Sequence, residues 1–272
     1  MIPRGAGDAD AADLLAKWRD DLASWAIPDA ILAQADEKPW IHPVSMFTVD
    51  DEILDSISHR TARQAVPQDG SVLDVGSGGG RASLALVPPA GMVIAVDHQQ
   101  EMLDAFADAA IRRGVGHREY LGDWPAVADA VPECDVVVCH HVAYNVADIG
   151  PFLVALNGRA RQRVVLELPV RHPMSGMNPL WKRFWNLDRP TQPTAHDLMA
   201  IARALGFDAH IEVWPDETWG RRVDMPQAER VRFARIRLCL TEERDAEVAA
   251  ALIEEADSLP REVATVWWDV QP

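Results

Sequence analysis

The chain has 272 residues and a formal net charge of −16 at pH 7, with 26 Lys and Arg against 42 Asp and Glu. Because phosphate backbones are bound by clusters of Lys and Arg, this balance disfavours an enzyme that acts on RNA or DNA. The 48% hydrophobic and 25% charged shares are typical of a globular protein, and the length suits one large domain with additions.

The cysteine pattern and the hydropathy indicate in which cellular compartment the protein works. Cys134, Cys139 and Cys239 lack the CxxC spacing of zinc sites, which argues against disulfides and favours a reducing cytoplasm. No stretch approaches the length of an apolar membrane span, and the first residues lack the apolar core of a signal peptide. We therefore expect a cytoplasmic protein without a membrane partner.

Three helices are predicted in the N-terminal quarter of the chain. Hydrophobic residues recur at helical spacing over residues 11–25, a short helix is expected at 28–34, and a third helix at 50–65. A stiff linker with two prolines precedes the third helix and carries Trp40 and His42. These two side chains either face a ligand or simply fasten the linker.

The next segment joins a short apolar run to a glycine-rich loop. Residues 71–75 predict a buried strand that carries Asp74 near its end, and four of the next five residues are glycines. Residues 81–86 predict the start of a helix, so strand, turn and helix N-terminus would form a ligand cradle. The nicotinamide-dinucleotide pattern GxGxxG fails, because its sixth position falls on Arg81 or Ser83.

Three further strands are followed by polar residues. Residues 91–97 end in Asp97, which lies 21 residues after Gly76, where a carboxylate can accept hydrogen bonds from ribose hydroxyls. Ligands bind at the carboxyl ends of strands in such sheets, so these polar residues indicate one site. The other two strands and the residues that follow them are 117–121 with Gly122, Asp123 and Trp124, and 136–139 with His140 and His141.

The pattern Asp74-x-Gly76-x-Gly78-x-Gly80, with the acidic residues after the following strands, resembles the motifs of class I S-adenosylmethionine-dependent methyltransferases. The resemblance covers about residues 66–170 closely and the rest in outline. It implies an α/β fold with a Rossmann-like, seven-stranded, mostly parallel sheet, helices on both faces and an antiparallel terminal hairpin. The remaining elements are predicted as strands at 163–168, 207–214 and 263–270 and a helix at 194–205.

Two additions depart from the minimal family pattern. Residues 1–66 are interpreted as an N-terminal helical cap or lid, and residues 67–272 as the methyltransferase domain. About fifty residues separate the last two strands, and helices are predicted there at 226–238 and 242–257. We interpret the insertion 216–260 as a helical cap over the acceptor site or as a contact between two copies in a homodimer.

The resemblance implies S-adenosylmethionine as the cofactor, with S-adenosylhomocysteine as the product. In the family, the acid of the glycine motif helps to bind the cofactor's amino group, the next acid binds the ribose, and residues after the third strand lie near the adenine. For the Asp123–Trp124 pair a simple helix cap and staple is the alternative, and for Met102 a core position. The residues expected around the cofactor are Asp74, Gly76, Ser77, Gly78, Gly80, Asp97, His98, Met102, Gly122, Asp123, Trp124, Cys139 and His140.

The consecutive histidines after the fourth strand are candidates for a general base. Histidine is the side chain best suited to take a proton from a hydroxyl acceptor near neutral pH. We favour His141 as the base, with His140 against the methionine end of the cofactor and Tyr144 as a further catalytic candidate. The pair lacks the spacing of a metal site. The candidates for contacts with the acceptor are Trp40, His42, Asn145, Glu167, Arg171 and Trp181, and for Trp181 a core position is favoured over a substrate contact.

Two function classes remain open at this point. The first is a methyltransferase that acts on a small molecule, with the hydroxyl of a sugar or secondary metabolite favoured over other acceptors. The alternative is a cofactor-binding but non-catalytic protein of the same fold, which serves as a regulatory or complex-forming subunit. The acids at three strand ends favour retained cofactor binding, and the histidine pair favours chemistry.

Overall fold

The protein is built around one seven-stranded sheet in the order β3-β2-β1-β4-β5-β7-β6. The computed structural model describes residues 6–39, 55–215, 226–254 and 261–271. Strand β7 runs antiparallel to its two neighbours, and all other pairs are parallel, which confirms the predicted fold class. The strands are β1 (Ser71–Val75), β2 (Met92–Asp97), β3 (Gly116–Leu121), β4 (Cys134–His140), β5 (Ala160–Pro169), β6 (His210–Pro215) and β7 (Glu262–Asp269).

Helices lie on both faces of the sheet, and further helices form a separate cluster described below. None of the described helices combines the length and the apolar character needed to span a bilayer. The helices are α1 (Ala6–Ala23), α2 (Asp29–Leu32), α3 (Ile57–Arg63), α4 (Gln100–Arg113), α5 (Ile149–Arg159), α6 (Asn178–Trp185), α7 (Ala195–Ala204), α8 (Gln227–Arg237) and α9 (Asp245–Glu254).

The helix predicted directly after the glycine-rich loop is wrong. Residues 81–83 form turns, and only a short 3-10 helix, Leu84–Leu86, follows. The physical reason lies in Pro88 and Pro89, because proline lacks the N–H that a continuing helix needs and restricts the residue before it. The loop is therefore followed by a compact turn rather than by an α-helix.

Two other local predictions also need correction. The third N-terminal helix, expected at 50–65, begins at Ile57, because Ser56 caps it in an extended conformation; residues 50–54 lie outside the described part of the chain. No α-helix follows Asp123 and Trp124, so the helix-cap alternative for this pair is wrong; Pro125 comes next, and a 3-10 turn, Ala128–Ala130, forms instead.

The described parts of the N-terminal segment are built into the main fold. Trp18 of α1 is 1% exposed in the core between the sheet, α5 and α7, and its indole N–H donates to the carbonyl of Val146 at 2.9 Å. On the other face, Ser58 of α3 shares a hydrogen bond of 2.7 Å with Thr265 of β7. These contacts place α1 and α3 in the helical layers that cover the two faces of the sheet. A lid formed by the rest of residues 1–66 stays a prediction, and Trp40 and His42 lie outside the described residues.

A second hydrophobic cluster lies apart from those of the sheet, and we call the helices that form it the helical cap: α2, α6, α8 and α9. Buried side chains such as Leu180, Trp181, Leu238 and Val248 make up its centre. The described part of the insertion thus packs with α2 and α6. Whether this cap covers an acceptor stays a prediction, and residues 216–225 and 255–260 lie outside the described part of the chain.

A buried arginine ties the cap together. The guanidinium of Arg235 is 2% exposed and lies 3.0 Å from Asp245 of α9 and 3.5 Å from both Glu37 and Glu242. A buried cation needs such partners, because its desolvation is costly without them. The ion pairs therefore join α8 to α9 and to the segment after α2.

Replacing Trp181 with alanine is expected to destabilise the cap by about 3–5 kcal/mol, because a fully buried tryptophan leaves a large cavity. The side chain is 2% exposed, and the Arg189 guanidinium lies 5.0 Å from its ring centre. Hydrogen-exchange mass spectrometry should show faster exchange in α6, α8 and α9 and unchanged exchange in β1 and β4. Trp181→Phe should behave as an intermediate, and a fully protected cap in Trp181→Ala would contradict its place in this core.

Candidate active site

Four polar side chains share one face at the carboxyl edge of the sheet. Side chains alternate between the two faces along a strand, so Asp74 lies on the face of Val72, and His140 on the face of Val138. Val72 and Val138 pack into the cluster under α3. By the same alternation Asp97, the last residue of β2, and Glu167, near the end of β5, lie on this face, which brings together side chains from the carboxyl ends of four parallel strands.

The glycine-rich loop is tied to Asp97. The backbone N–H of Gly78 donates to Oδ2 of Asp97 at 3.0 Å, and the N–H of Gln99 donates to Oδ1 at 3.0 Å. Gly76 has a φ of +69°, and a Cβ there would collide with a methyl group of Val142. A side chain at residue 76 would therefore be both strained and obstructed. Each carboxylate oxygen of Asp97 still has a lone pair for a further donor.

Asp74 is a buried carboxyl, and one of its two oxygens has no hydrogen-bond partner among the described groups. Its side chain is 1% exposed, and Oδ2 accepts a hydrogen bond of 2.6 Å from the Ser83 hydroxyl. Oδ1 is buried without a partner among the described groups. Burial raises the pKa of Asp74 to about 7, against the effect of the Ser83 hydrogen bonds. A buried, half-satisfied carboxyl of this kind is suited to receive a cation.

His141 stands beside Glu167 because of an unusual backbone conformation. It follows the last residue of β4 with a φ of +62°, a left-handed value that is uncommon outside glycine. Its N–H donates to the carbonyl of Glu167 at 2.6 Å, and its Nε2 lies 3.0 Å from Oε1 of the same residue. Such outliers concentrate at functional sites. The imidazole is 45% exposed, whereas the carboxylate is 9% exposed.

Glu167 is a buried carboxylate surrounded by imidazoles. Burial alone would raise its pKa, but the nearby imidazoles of His140, His141 and His59, with the hydrogen bond from His141, hold it well below the usual value. The Ser56 hydroxyl donates to Oε2 at 2.8 Å. Glu167 is therefore ionised at neutral pH and pairs directly with His141.

His140 has a different environment from its neighbour. Its ring is 9% exposed, packs edge-on against His59 at 5.3 Å, and has its Nδ1 at 3.9 Å from Glu167. Burial lowers the pKa of His140 to about 3, despite the pull of Glu167, and burial also lowers the pKa of His59. The His140 ring is therefore neutral at physiological pH. Within the described ranges, no set of three or more potential ligands is arranged to hold a metal ion.

The comparisons with known proteins agree with this geometry. Residues 72–156 match the family model described as "Methyltransferase domain". Residues 72–156 of this chain therefore form a methyltransferase domain. The matched region runs from β1 to α5 and so includes the glycine-rich loop, Asp97 and both histidines. S-adenosylmethionine is the cofactor of this class, as the resemblance in the sequence implied.

Individual relatives are similar at the level of the fold. An uncharacterized protein of Haemophilus influenzae is 31% identical over 102 residues, which are 37% of this chain and 38% of that protein. The chain therefore spans about two fifths of the length of this curated relative. YcgJ of Bacillus subtilis has a TM-score of 0.52 at 17% identity, covering 79% of this chain and 96% of that one. The S-adenosylmethionine-dependent methyltransferase of Geobacter sulfurreducens, solved with S-adenosylhomocysteine, has a TM-score of 0.54 at 16% identity, covering 91% and 99%.

The residues predicted to lie near the adenine follow β2 and β3. His98 and Asp123 are exposed, and Met102 is 3% exposed in α4. Gly122 donates its N–H to the carbonyl of Asp97 at 2.9 Å, which joins the ends of the two strands. Trp124 is half-buried and donates to the carbonyl of Phe152. Their roles toward a cofactor, and that of Ser77, stay predictions.

Three predicted site residues lie in hydrophobic clusters instead. Cys139 is 1% exposed on the opposite face of β4 from His140, so its thiol faces the main core. The Tyr144 hydroxyl is buried and donates to the carbonyl of Pro169 at 2.9 Å, which favours a structural role over a catalytic one. Trp181 belongs to the helical cap core. Asn145 and Arg171, in contrast, are exposed and stay candidates for the acceptor.

Three residues of the site escaped the sequence analysis. Ser83 bonds to Asp74, Ser56 bonds to Glu167, and His59 packs against His140. The Ser56-x-x-His59 spacing is that of a capping box, but histidine replaces the usual Glu or Gln. A search that allowed any hydrogen-bonding side chain at the third helical position would have found this helix start.

Proposed function

We propose that the protein is an S-adenosylmethionine-dependent methyltransferase that methylates a hydroxyl group of a small molecule. The observation that carries the proposal is the pairing of exposed His141 with buried, ionised Glu167 at the carboxyl edge of the sheet. A nucleophile is commonly activated by a base that a third group orients, and this pair supplies both parts. The acidic net charge supports a small molecule over a nucleic acid.

The residues present fit the cofactor. The unpartnered oxygen of Asp74 would accept from its amino group, and Asp97 would accept from the ribose hydroxyls. The backbone between Gly76 and Gly80 would pass close to the methionine moiety, and its tight turn needs glycine, because a Cβ at Gly76 would collide with Val142 and one at Gly80 with Phe106. When bound, S-adenosylmethionine supplies the methyl group and leaves as S-adenosylhomocysteine.

The chain's own contribution is to hold the acceptor and take its proton. Because Nε2 of His141 is bonded to Glu167, Nδ1 is the ring nitrogen that would receive the hydroxyl proton. Glu167 would stabilise the imidazolium that forms, as a buried carboxylate does for a catalytic histidine. His140, whose neutral ring is a poor base, would instead line the site. The helical cap and the exposed side chains of Asn145 and Arg171 would select the acceptor.

The test is transfer of a deuterated methyl group from S-adenosylmethionine to fractions of a cell extract. We expect mass spectrometry to find the label in the ultrafiltrate that contains small molecules, on oxygen. Label in the nucleic acid or protein fraction would contradict the proposed substrate class. Binding of S-adenosylhomocysteine with no transfer to any fraction would favour a non-catalytic protein, and binding of NAD instead would contradict the cofactor.

Replacing Asp97 with alanine is expected to weaken S-adenosylhomocysteine binding about tenfold to a hundredfold, because hydrogen bonds to a charged group contribute about 1.5–3 kcal/mol. The variant also loses the acceptor for the Gly78 N–H, so the loop itself becomes less ordered. Calorimetry measures the affinity. Asp104→Ala, which removes an exposed carboxylate from α4, is the control and should bind as the wild type does. Equal affinities for both variants would show that Asp97 does not hold the ribose.

A further inference from the structure

A serine in front of α3 reaches the carboxylate that holds His141. The Ser56 hydroxyl donates to Oε2 of Glu167 at 2.8 Å, while Nε2 of His141 lies 3.0 Å from Oε1. Each carboxylate oxygen therefore has its own donor, one from the N-terminal segment and one from the turn after β4. Hydrogen bonds to an ionised group are strong and directional, so these two donors decide how the carboxylate is turned.

Ser56 is itself held in place by its capping box. Its N–H donates to Nδ1 of His59 at 3.2 Å, and its hydroxyl oxygen accepts from the His59 N–H at 3.4 Å. The hydroxyl oxygen also lies 2.8 Å from Nδ1 of His59, but its single proton goes to the ionised carboxylate of Glu167, which is the stronger acceptor, while the Ser56 N–H supplies Nδ1. The other ring nitrogen of His59 lies 3.2 Å from the carbonyl oxygen of Arg81, directly after the glycine-rich loop. A chain of hydrogen bonds thus runs from this loop through His59, Ser56 and Glu167 to His141.

We propose that Ser56 is a positioning residue of the methyl-transfer site, which fixes Glu167 so that its Oε1 stays on His141. This inference rests on the proposed function, because it gives His141 the role of the base. Without the hydroxyl, Oε2 becomes a buried oxygen that lacks its donor, and the carboxylate turns to regain a hydrogen bond. His141 then loses its fixed partner.

Variants of Ser56 separate donation to Glu167 from capping of α3. Ser56→Ala removes both, and Ser56→Thr keeps both. Ser56→Asp caps a helix as well as serine does, but it brings a second carboxylate to Glu167 and has no proton to donate. Ser58→Ala is the matched control, because Ser58 lies two residues further along and bonds to Thr265 instead.

The readout is the imidazole nitrogen spectrum of His141 in protein labelled with heavy-isotope histidine, assigned with His141→Gln and recorded without cofactor or acceptor. Glu167→Gln defines the direction in which the signals move when the charged partner is lost. We expect Ser56→Ala and Ser56→Asp to move them in that direction, and Ser56→Thr and Ser58→Ala to leave them at their wild-type positions.

The outcomes distinguish the positioning role of Ser56 from the His141–Glu167 pair itself. Wild-type signals in Ser56→Ala, or restoration by Ser56→Asp, would overturn the positioning role of Ser56 and leave the His141–Glu167 pair intact. Signals that do not move in Glu167→Gln would instead contradict the pair itself, on which the proposed function depends.

Discussion

Replacing His141 with alanine is expected to lower the rate of methyl transfer by about 10²–10⁴-fold, the usual contribution of a positioned general base. The imidazole is 45% exposed, so its removal leaves no buried cavity, but it takes a donor from the buried carboxylate of Glu167, so the free energy of unfolding should fall by about 1–3 kcal/mol. The affinity for S-adenosylhomocysteine should change little, because the proposed role of His141 concerns the proton of the acceptor. The assay uses the small-molecule fraction that takes the label in the transfer experiment.

The control for His141 is another exposed histidine. His210 in β6 has a side chain that is 53% exposed and lies 4.0 Å from Asp208, so it resembles His141 in exposure and in having a carboxylate partner. His210→Ala should transfer methyl groups at the wild-type rate. If His141→Ala does the same across the pH range, the site works by proximity alone and the acceptor needs no base.

Glu167 shows what the sequence could and could not predict. The sequence placed it near the end of a strand and proposed it as an acceptor contact. The structure pairs Glu167 with His141 and Ser56. The pairing with His141 depends on the left-handed conformation of residue 141, which no local sequence pattern predicts for a histidine. The strand ends were predictable because buried parallel strands are continuous apolar runs that stop at polar residues.

The period of two along a strand explains why the Cys139 side chain lies in the main core. In β4, Val137 and Cys139 point to the core with α5, whereas Val138 and His140 point to the face with α3. Once Asp74 is assigned to one face of the sheet, the alternation along each strand assigns the side chains of the other strands to a face. This step places the Cys139 side chain on the face opposite to Asp74. Tyr144 carries no such signal, because its burial depends on α1 and on the chain after β5.

The binding of S-adenosylhomocysteine is expected to weaken about tenfold for each pH unit below about 7, because Asp74 must lose a proton to receive the ligand's ammonium group. Burial raises the pKa of Asp74 to about 7, helped by the charge of Asp97 and opposed by Ser83. Above that pH the carboxylate is already ionised, so the affinity levels off until the ligand's amino group loses its own proton.

The stability of the unliganded protein should follow the opposite trend. A carboxyl whose pKa is raised by folding binds its proton more tightly in the folded state than in the unfolded one. Its contribution is complete below the unfolded value of 3.8 and is lost as the pH rises through about 7. Ligand affinity therefore rises over the same interval in which the contribution of Asp74 to the free energy of unfolding falls.

Calorimetry in buffers of different ionisation enthalpy measures both the affinity and the proton released on binding, which should approach one below pH 7. Asp74→Asn is neutral at every pH, so it should bind more weakly, release no proton at this site and lose the pH dependence. Ser83→Ala removes the hydrogen bond that favours the ionised form, so the change in affinity should move to higher pH. An affinity that is the same in the wild type at pH 5 and pH 7 would show that the ammonium group is bound elsewhere, since a neutral Asp74 cannot hold it as a carboxylate does.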